Sequence, residues 1–359
     1  MAFFKNIYGH DRIARSLRQS IANNRLSHAL IFDGEEGIGK TTMANALAQT
    51  LQCERRMINP GREDMSGTDI SYDANTPNID PTMINADTLD ACGHCVSCRA
   101  FQNNNHPDVI HVRAEKKSIG IDDVREQINR QTQSKPYRYR YKIFIIHRAD
   151  TMTVQAQNAI LKTLEEPPSF AIFILLSENI NAFLPTLISR CVVFRFKPLP
   201  VPLVKEYLVD HGMEDERADF YSIFSQGNIG GALKLSQSET FLEMRETVIG
   251  MAQSLRRSDL PEAFARFATL DAFKDNIQGL LDLFLLWYRD VIIVKQTDNN
   301  YLLIQKDKAS EIYAEAQATA LEVLCAKFDA VWQAKRHLMQ NGNFQLSLEM
   351  MLLKMRGYS

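Results

Sequence analysis

The stretch His28-Ala29-Leu30-Ile31-Phe32-Asp33-Gly34-Glu35-Glu36-Gly37-Ile38-Gly39-Lys40-Thr41 decides the fold. An apolar run of strand character meets a glycine-rich turn, and Thr41 to Leu51 then has helical character. Gly34 to Thr41 fits G-x-x-x-x-G-K-[ST] in full, the pattern of a phosphate-binding loop. The glycines let the backbone curl so that its N–H groups face a phosphate. The Lys40 ammonium can reach the β and γ phosphates and the Thr41 hydroxyl can ligate magnesium, while the helix N-terminus adds a favourable field. Gly34, Gly37, Gly39, Lys40, Thr41 and Thr42 are therefore the candidate nucleotide-binding residues, for ATP or ADP with Mg2+.

Outward from this loop, four more strand candidates follow: Asp108–Val112, Lys142–Ile146, Ala171–Leu176 and Cys191–Phe196. Between them lie a helical stretch over Asp122–Asn129 and another that Thr153 can cap and Pro167-Pro168 must stop. Strands alternating with helices predict an α/β fold whose five-stranded parallel sheet is covered on both faces. After Lys197-Pro198-Leu199-Pro200 the strand signal fades and the pattern reads as helical throughout. Residues 201–238 could make a small helical unit and 239–359 a larger one, with Leu280–Val294 a buried helix. Met350, Met351 and Met355 read as helix core or an oligomer seam.

The chain has 359 residues, enough for two or three domains, and its 45% apolar and 23% charged residues describe a globular protein. A formal charge of −2 excludes a uniformly basic nucleic-acid binder, so any DNA contact must use a local patch or partners. Met1-Ala2-Phe3-Phe4-Lys5-Asn6 is too short in apolar residues for a signal peptide, and no run reaches the roughly 18 apolar residues of a membrane span. The expected compartment is the cytoplasm.

A P-loop enzyme that hydrolyses its nucleotide ends a later strand with an Asp for magnesium and often a Glu for water. Here Ile143-Phe144-Ile145-Ile146 is followed by His147 and Arg148, and Asp150 lies three residues beyond the first expected position. Hydrolysis is thus expected to be weak or absent, with nucleotide binding still open; the alternative has Asp150 or Asp33 substituting.

Cys92-Gly93-His94-Cys95-Val96-Ser97-Cys98 places three thiols at C-x-x-C-x-x-C spacing, and Cys53 sits where a loop could return to them. In a cytosolic chain such a set reads as metal ligands before disulfides. Four sulfurs, Cys53, Cys92, Cys95 and Cys98, would make a closed, structural zinc site. His94 or His106 could replace one sulfur, and an iron–sulfur cluster is the alternative metal group. Residues 54–91 read as a long polar loop. Lys135-Pro136-Tyr137-Arg138-Tyr139-Arg140-Tyr141-Lys142 mixes basic and aromatic residues; it reads as a solvated loop leading into a strand, with DNA contact the alternative. Glu165-Glu166 before the two prolines reads as a helix end.

Several motifs now coincide: the P-loop, the C-x-x-C-x-x-C, His106-Pro107-Asp108, Asn158-Ala159-Ile160-Leu161-Lys162-Thr163-Leu164-Glu165-Glu166-Pro167-Pro168 and Ser189-Arg190-Cys191. In this order they resemble the AAA+ clamp-loader family, the gamma/tau and delta-prime subunits of bacterial DNA polymerase III. The match covers residues 1 to about 235, and the remainder matches only in being helical. The resemblance implies an AAA+ core (1–198) with an inserted zinc module (about 53–98), a helical lid (199–238) and an all-α collar for oligomerisation (239–359). It implies a hetero-pentamer with gamma/tau and delta subunits that opens a sliding clamp and places it on primed DNA. Motor subunits carry Asp-Glu where this chain has His147-Arg148. They also carry a nucleotide-sensing arginine in a G-x-x-R-x-A-L run, which here falls on Gly227-Asn228-Ile229-Gly230-Gly231-Ala232-Leu233, with Gly230 in its place. These departures put the chain on the delta-prime side, a stator with little ATPase of its own; the alternative is a gamma/tau-type motor. In the family the arginine of Ser-Arg-Cys, here Arg190, points into the neighbour's ATP site as an arginine finger in trans.

Overall fold

The computed structural model describes residues 3–54, 88–255, 259–297 and 302–358. Most of the polar stretch expected over 54–91 lies outside these. The described chain divides into two compact units: Met1–Leu203 with Asn228–Gly230, and Val204–Gly227 with Gly231–Ser359.

The first unit is built on five parallel strands: β1 (Ala29–Asp33), β2 (Val109–Val112), β3 (Lys142–Ile146), β4 (Ala171–Ser177) and β5 (Val192–Arg195). Their order across the sheet is β2-β3-β4-β1-β5. Ala29 pairs with Phe173 and Leu30 with Val192, so β1 lies between β4 and β5. Because side chains alternate along a strand, odd and even positions feed separate cores. Leu30, Phe32, Ile143, Ile145, Ile172, Ile174 and Leu176 share one core with α1 (Asp11–Ala22) and α2 (Lys40–Gln52). Ala29, Ile31, Phe144, Ile146, Phe173 and Leu175 share the other with the Val154–Glu165 helix. Each fully buried Ile or Phe contributes about 1.5–3 kcal/mol, so this two-sided burial fixes the register. Phe144 and Phe173 stack across the β3–β4 pair, ring centroids 5.1 Å apart.

The Val154–Glu165 helix begins where the sequence says it must. The Thr153 hydroxyl accepts the Ala156 N–H at 3.2 Å, and the chain leaves the helix before Pro167. The helix expected over Asp122–Asn129 is different: Ile121–Val124 is α-helical, Arg125–Asn129 forms a π turn, and Arg130–Thr132 resumes. The Asn129 side chain donates to the Ala159 carbonyl and accepts from the Thr163 hydroxyl. That tertiary anchoring accompanies the wider turn, which local propensity does not encode.

The second unit is helical. Asp215–Phe224 precedes Glu239–Ser254, Leu260–Ala268, the long Ile277–Thr297, Ala309–Ala318, Leu321–Met339 and Phe344–Met355. Trp287 and Tyr288 lie fully buried on the long helix, in the stretch expected to be a core helix. Inside this core Lys327 and Glu315 form an ion pair at 3.2 Å, both side chains almost wholly buried. Met351 and Met355 are buried within the unit, whereas Met350 is exposed. No helix among the described residues is long and apolar enough to cross a membrane.

Candidate functional site

The P-loop hangs from the C-terminal end of β1, at the point where the sheet order reverses and phosphate groups are usually received. Gly39 caps α2 in the left-handed region, φ +104°, a conformation that costs most residues heavily and glycine almost nothing. Thr41 and Thr42 are exposed in the first turn of α2. Lys40 is largely buried and folds back on its own loop, donating to the Gly34 carbonyl and, at 2.7 Å, to that of Glu35. Burial lowers its pKa; the charges of Glu178, Asp150, Asp33 and Glu36 act in the opposite sense.

Two features bear on this loop's chemistry, one packed on it and one two strands away in the sheet. The first is Asn228–Gly230, which belongs to the same unit. The Asn228 amide donates to the Glu36 carbonyl at 2.6 Å and the Gly230 N–H to the Gly37 carbonyl at 3.1 Å. A Cβ on residue 230 would lie 2.7 Å from the Gly37 backbone, so the approach requires glycine. The second is at the end of β3, where His147 Nε2 lies 3.0 Å from His111 Nδ1 with the rings stacked. Burial, then His111 and Arg113, hold His147 down to about 4, so it is neutral near pH 7. Asp150 accepts the Glu178 N–H and Asp33 accepts from the Ser177 hydroxyl, and the charges of both reach Lys40.

The cysteines come together as the spacing suggested. The sulfurs of Cys53, at the end of α2, and of Cys92, Cys95 and Cys98, around the start of α3 (Val96–Gln102), all lie within 4.8 Å of one another. A tetrahedron with zinc–sulfur bonds of about 2.3 Å has sulfurs about 3.8 Å apart, so the set fits one ion. Cys53, Cys95 and Cys98 are buried against Phe3. The thiols are coupled: hydrogen bonds from Cys53 and Cys98 lower the pKa of Cys95, while hydrogen bonds to Cys95 and Cys98, then burial, raise that of Cys53. Neither histidine considered as a substitute belongs to the set. His94 Nδ1 faces the Cys92 carbonyl at 2.8 Å. His106 Nδ1 accepts the Asp108 N–H, which leaves Nε2–H to donate to Ser97.

Two carboxylates around this module carry no motif of their own. Asp90 accepts the N–H groups of Phe4, Lys5 and Ala91, tying the chain start to the cysteines. Asp108 accepts those of Tyr137, Arg138 and Tyr139, which shapes the basic-aromatic stretch into a turn. His106-Pro107-Asp108 was the only signal for the latter, and Asp90 had none.

Arg190 follows the Pro185–Ile188 helix on a half-exposed surface. Its guanidinium meets the Glu165 carboxylate at 2.5 Å and donates to the Thr186 carbonyl at 2.7 Å.

Against this geometry, the family model described as DNA polymerase III, delta subunit matches residues 9–79 and 79–200. A second, for the C-terminal part of the DNA polymerase III delta subunit, matches 241–357. Among curated relatives, the DNA polymerase III subunit delta′ of Bacillus subtilis is 28% identical over 96% of this chain and 95% of its own length. The chain belongs to the DNA polymerase III delta′ subunit family. It is thus a clamp-loader subunit of the AAA+ class, and gamma/tau proteins are relatives over shorter spans. The tau subunit of Bacillus subtilis is 24% identical over 87% of this chain and 54% of its own length. The gamma/tau subunit of Mycoplasma genitalium is 30% identical over 58% of this chain and 29% of its own. A gamma-subunit-related structure from Thermotoga maritima aligns over 96% of this chain and 98% of its own at 18% identity and TM-score 0.42.

Proposed function

We propose that this delta′-family chain is a non-hydrolysing stator of a clamp loader, which holds a zinc ion and completes a neighbouring subunit's ATP site with Arg190. The observation that carries this reading is the His111–His147 pair at the end of β3. Magnesium takes hard oxygen ligands, and a neutral imidazole already paired with another offers neither charge nor oxygen. Gly230, packed on the Gly37 backbone, leaves no room for a nucleotide-sensing guanidinium at that position.

Several residues would bind groups that the chain itself does not supply. Cys53, Cys92, Cys95 and Cys98 would hold a structural zinc, which braces the end of α2 against α3 and takes no part in chemistry. ATP or ADP with Mg2+ would lie on Gly34–Thr42, where Lys40 must first leave its carbonyl partners. The partners are gamma/tau and delta subunits in a hetero-pentamer, the sliding clamp and primed DNA, and the compartment is the cytoplasm. Residues 199–238 would act as lid and 239–359 as collar.

The decisive experiment measures ATP hydrolysis by the purified chain with and without primed DNA. The expected result is no DNA-stimulated turnover. Turnover abolished by Lys40→Ala would make the chain a motor and overturn the reading.

A further inference from the structure

Beside the P-loop helix lies a cleft that neither nucleotide hydrolysis nor zinc binding uses. It has a volume of about 190 Å3 and runs between α2, the end of α3 and β2, with Asn45, Gln49, Phe101, Gln102, Asn104 and His106 among its walls. Among the described residues no Lys, Arg, Asp or Glu lines it. Two of its amides are unsatisfied among the described residues: Gln49 Nε2 and Asn45 Oδ1 are both buried without a hydrogen-bond partner there. Gln49 is only 2% exposed. A buried unpaired amide is costly, and Asn45 and Gln49 stand one helical turn apart on the same face of α2.

We propose that this cleft is a binding site for a single uncharged nucleobase, adenine above the others. Its volume is below the roughly 300–1,000 Å3 of pockets for drug-sized ligands, which suits one heterocycle and not a whole nucleotide. The described walls offer amides, an aromatic ring and imidazoles, groups that suit a neutral heterocycle better than a phosphate. The orphan groups are one donor and one acceptor. The adenine edge offers the complement, an N7 acceptor for the Gln49 amide and an N6–H donor for the Asn45 carbonyl. Phe101 supplies an aromatic wall of the kind on which unpaired bases stack.

Two sources could deliver such a base: a free nucleoside or an unpaired residue of a single strand. The strand is favoured by what adjoins the cleft: Tyr139 packs at a tilt against His106, ring centroids 4.7 Å apart, in a stretch where Arg138 is ion-paired with Glu54 at 3.6 Å and Arg140 lies over the Tyr141 ring. Aromatic and basic side chains in one stretch are what single strands use.

The test titrates the full-length protein with a fluorescent deoxyadenosine oligonucleotide, an abasic oligonucleotide of equal length, and adenosine. The expected result is that the deoxyadenosine strand binds roughly tenfold or more tightly than the abasic one, with Gln49→Leu and Asn45→Leu erasing the difference. Adenosine binding that Gln49→Leu abolishes, with no gain from the strand, would support the site and assign it to free nucleoside. Equal binding of abasic and adenine strands, no binding of either adenine probe, or wild-type affinity in Gln49→Leu would overturn the proposal. Side-chain amide NMR of Asn- and Gln-labelled wild-type protein decides without any variant. Adenosine or the strand must shift a small set of amides that includes Asn45 and Gln49, and unshifted amides overturn the site.

Discussion

Arg190 and Glu165 hold each other at 2.5 Å across the surface of one subunit, and they come from the two motifs that most closely resemble the clamp-loader family. Glu165 ends the Val154–Glu165 helix, and Arg190 follows the short helix that leads to β5. The isolated chain therefore stores its candidate finger on its own carboxylate. Handing it to a neighbour exchanges one charge partner for another and exposes no buried charge. In a reconstituted complex, Arg190→Ala is expected to lower hydrolysis at the adjoining site by about 10³-fold or more, the usual worth of such an arginine. Glu165→Gln should leave the subunit's stability within about 1 kcal/mol, because exposed pairs contribute little. A steady-state ATPase assay and a thermal melt check both, and an unchanged rate in Arg190→Ala would remove the trans role.

The approach of Gly230 to the P-loop predicts a penalty for the smallest side chain. Gly230→Ala places a methyl 2.7 Å from the Gly37 backbone, so the two segments must part. The expected cost is about 1–3 kcal/mol of overpacking. Exchange of the residue 230 N–H, which the Gly37 carbonyl accepts, should quicken more than exchange in the β3–β4 pair. Unaltered exchange at 230 would show that the contact tolerates a side chain.

For the cysteine cluster, the purified chain should contain a single zinc. Cys98→Ser should lose it and lower the thermal midpoint, since metal affinity at a closed site contributes directly to folding. Metal analysis and calorimetry read the two effects. A chain that keeps its stability after chelation would mean that the thiols pack without an ion.

The imidazole pair makes stability depend on pH. Burial holds His147 down to about 4 and also lowers His111. An unfolded histidine titrates near 6.5, so between about pH 4 and 6.5 the unfolded chain binds more protons than the folded one. Stability therefore rises with pH across that window and is lost as pH falls through it. His147→Asn should flatten the slope of unfolding free energy against pH there, measured by denaturant titrations. The same slope in the variant would shift the cause to other histidines.

In the helical unit, Lys327→Met leaves Glu315 buried without its cation, beside the Tyr288 ring that the ammonium faces at 5.5 Å. Stranding one partner of a buried pair costs roughly 3–5 kcal/mol. Replacing both partners by apolar residues should restore most of that loss, which a double-mutant cycle measures.

The sheet was legible because its signals are local. Lys142–Ile146 is the strand expected, and the other four differ from expectation only at their ends. The P-loop and the C-x-x-C-x-x-C are equally local, since their chemistry demands fixed spacing. Long-range pairings were hidden. Glu165 read as a helix end and turned out to carry Arg190; His147 read as a missing carboxylate and turned out to be paired with His111. Asp90 gathers the N–H groups of Phe4 and Lys5 from far along the chain together with that of its neighbour Ala91, with no motif to announce it, and Asp108 gathers three from a separate loop with only His106-Pro107-Asp108 as a signal. The unsatisfied amides Asn45 and Gln49 looked like ordinary helix residues until α3 and β2 closed a space around them.

The close packing of residue 230 on the P-loop also limits what a substitution can restore. An arginine restored there would strike the Gly37 backbone before it could reach a phosphate. A carboxylate restored at 147 would face His111 with its former partner gone. Each substitution alone meets a packing obstacle at its own position, so on the proposed reading a single change at 147 or 230 does not turn this chain into a motor.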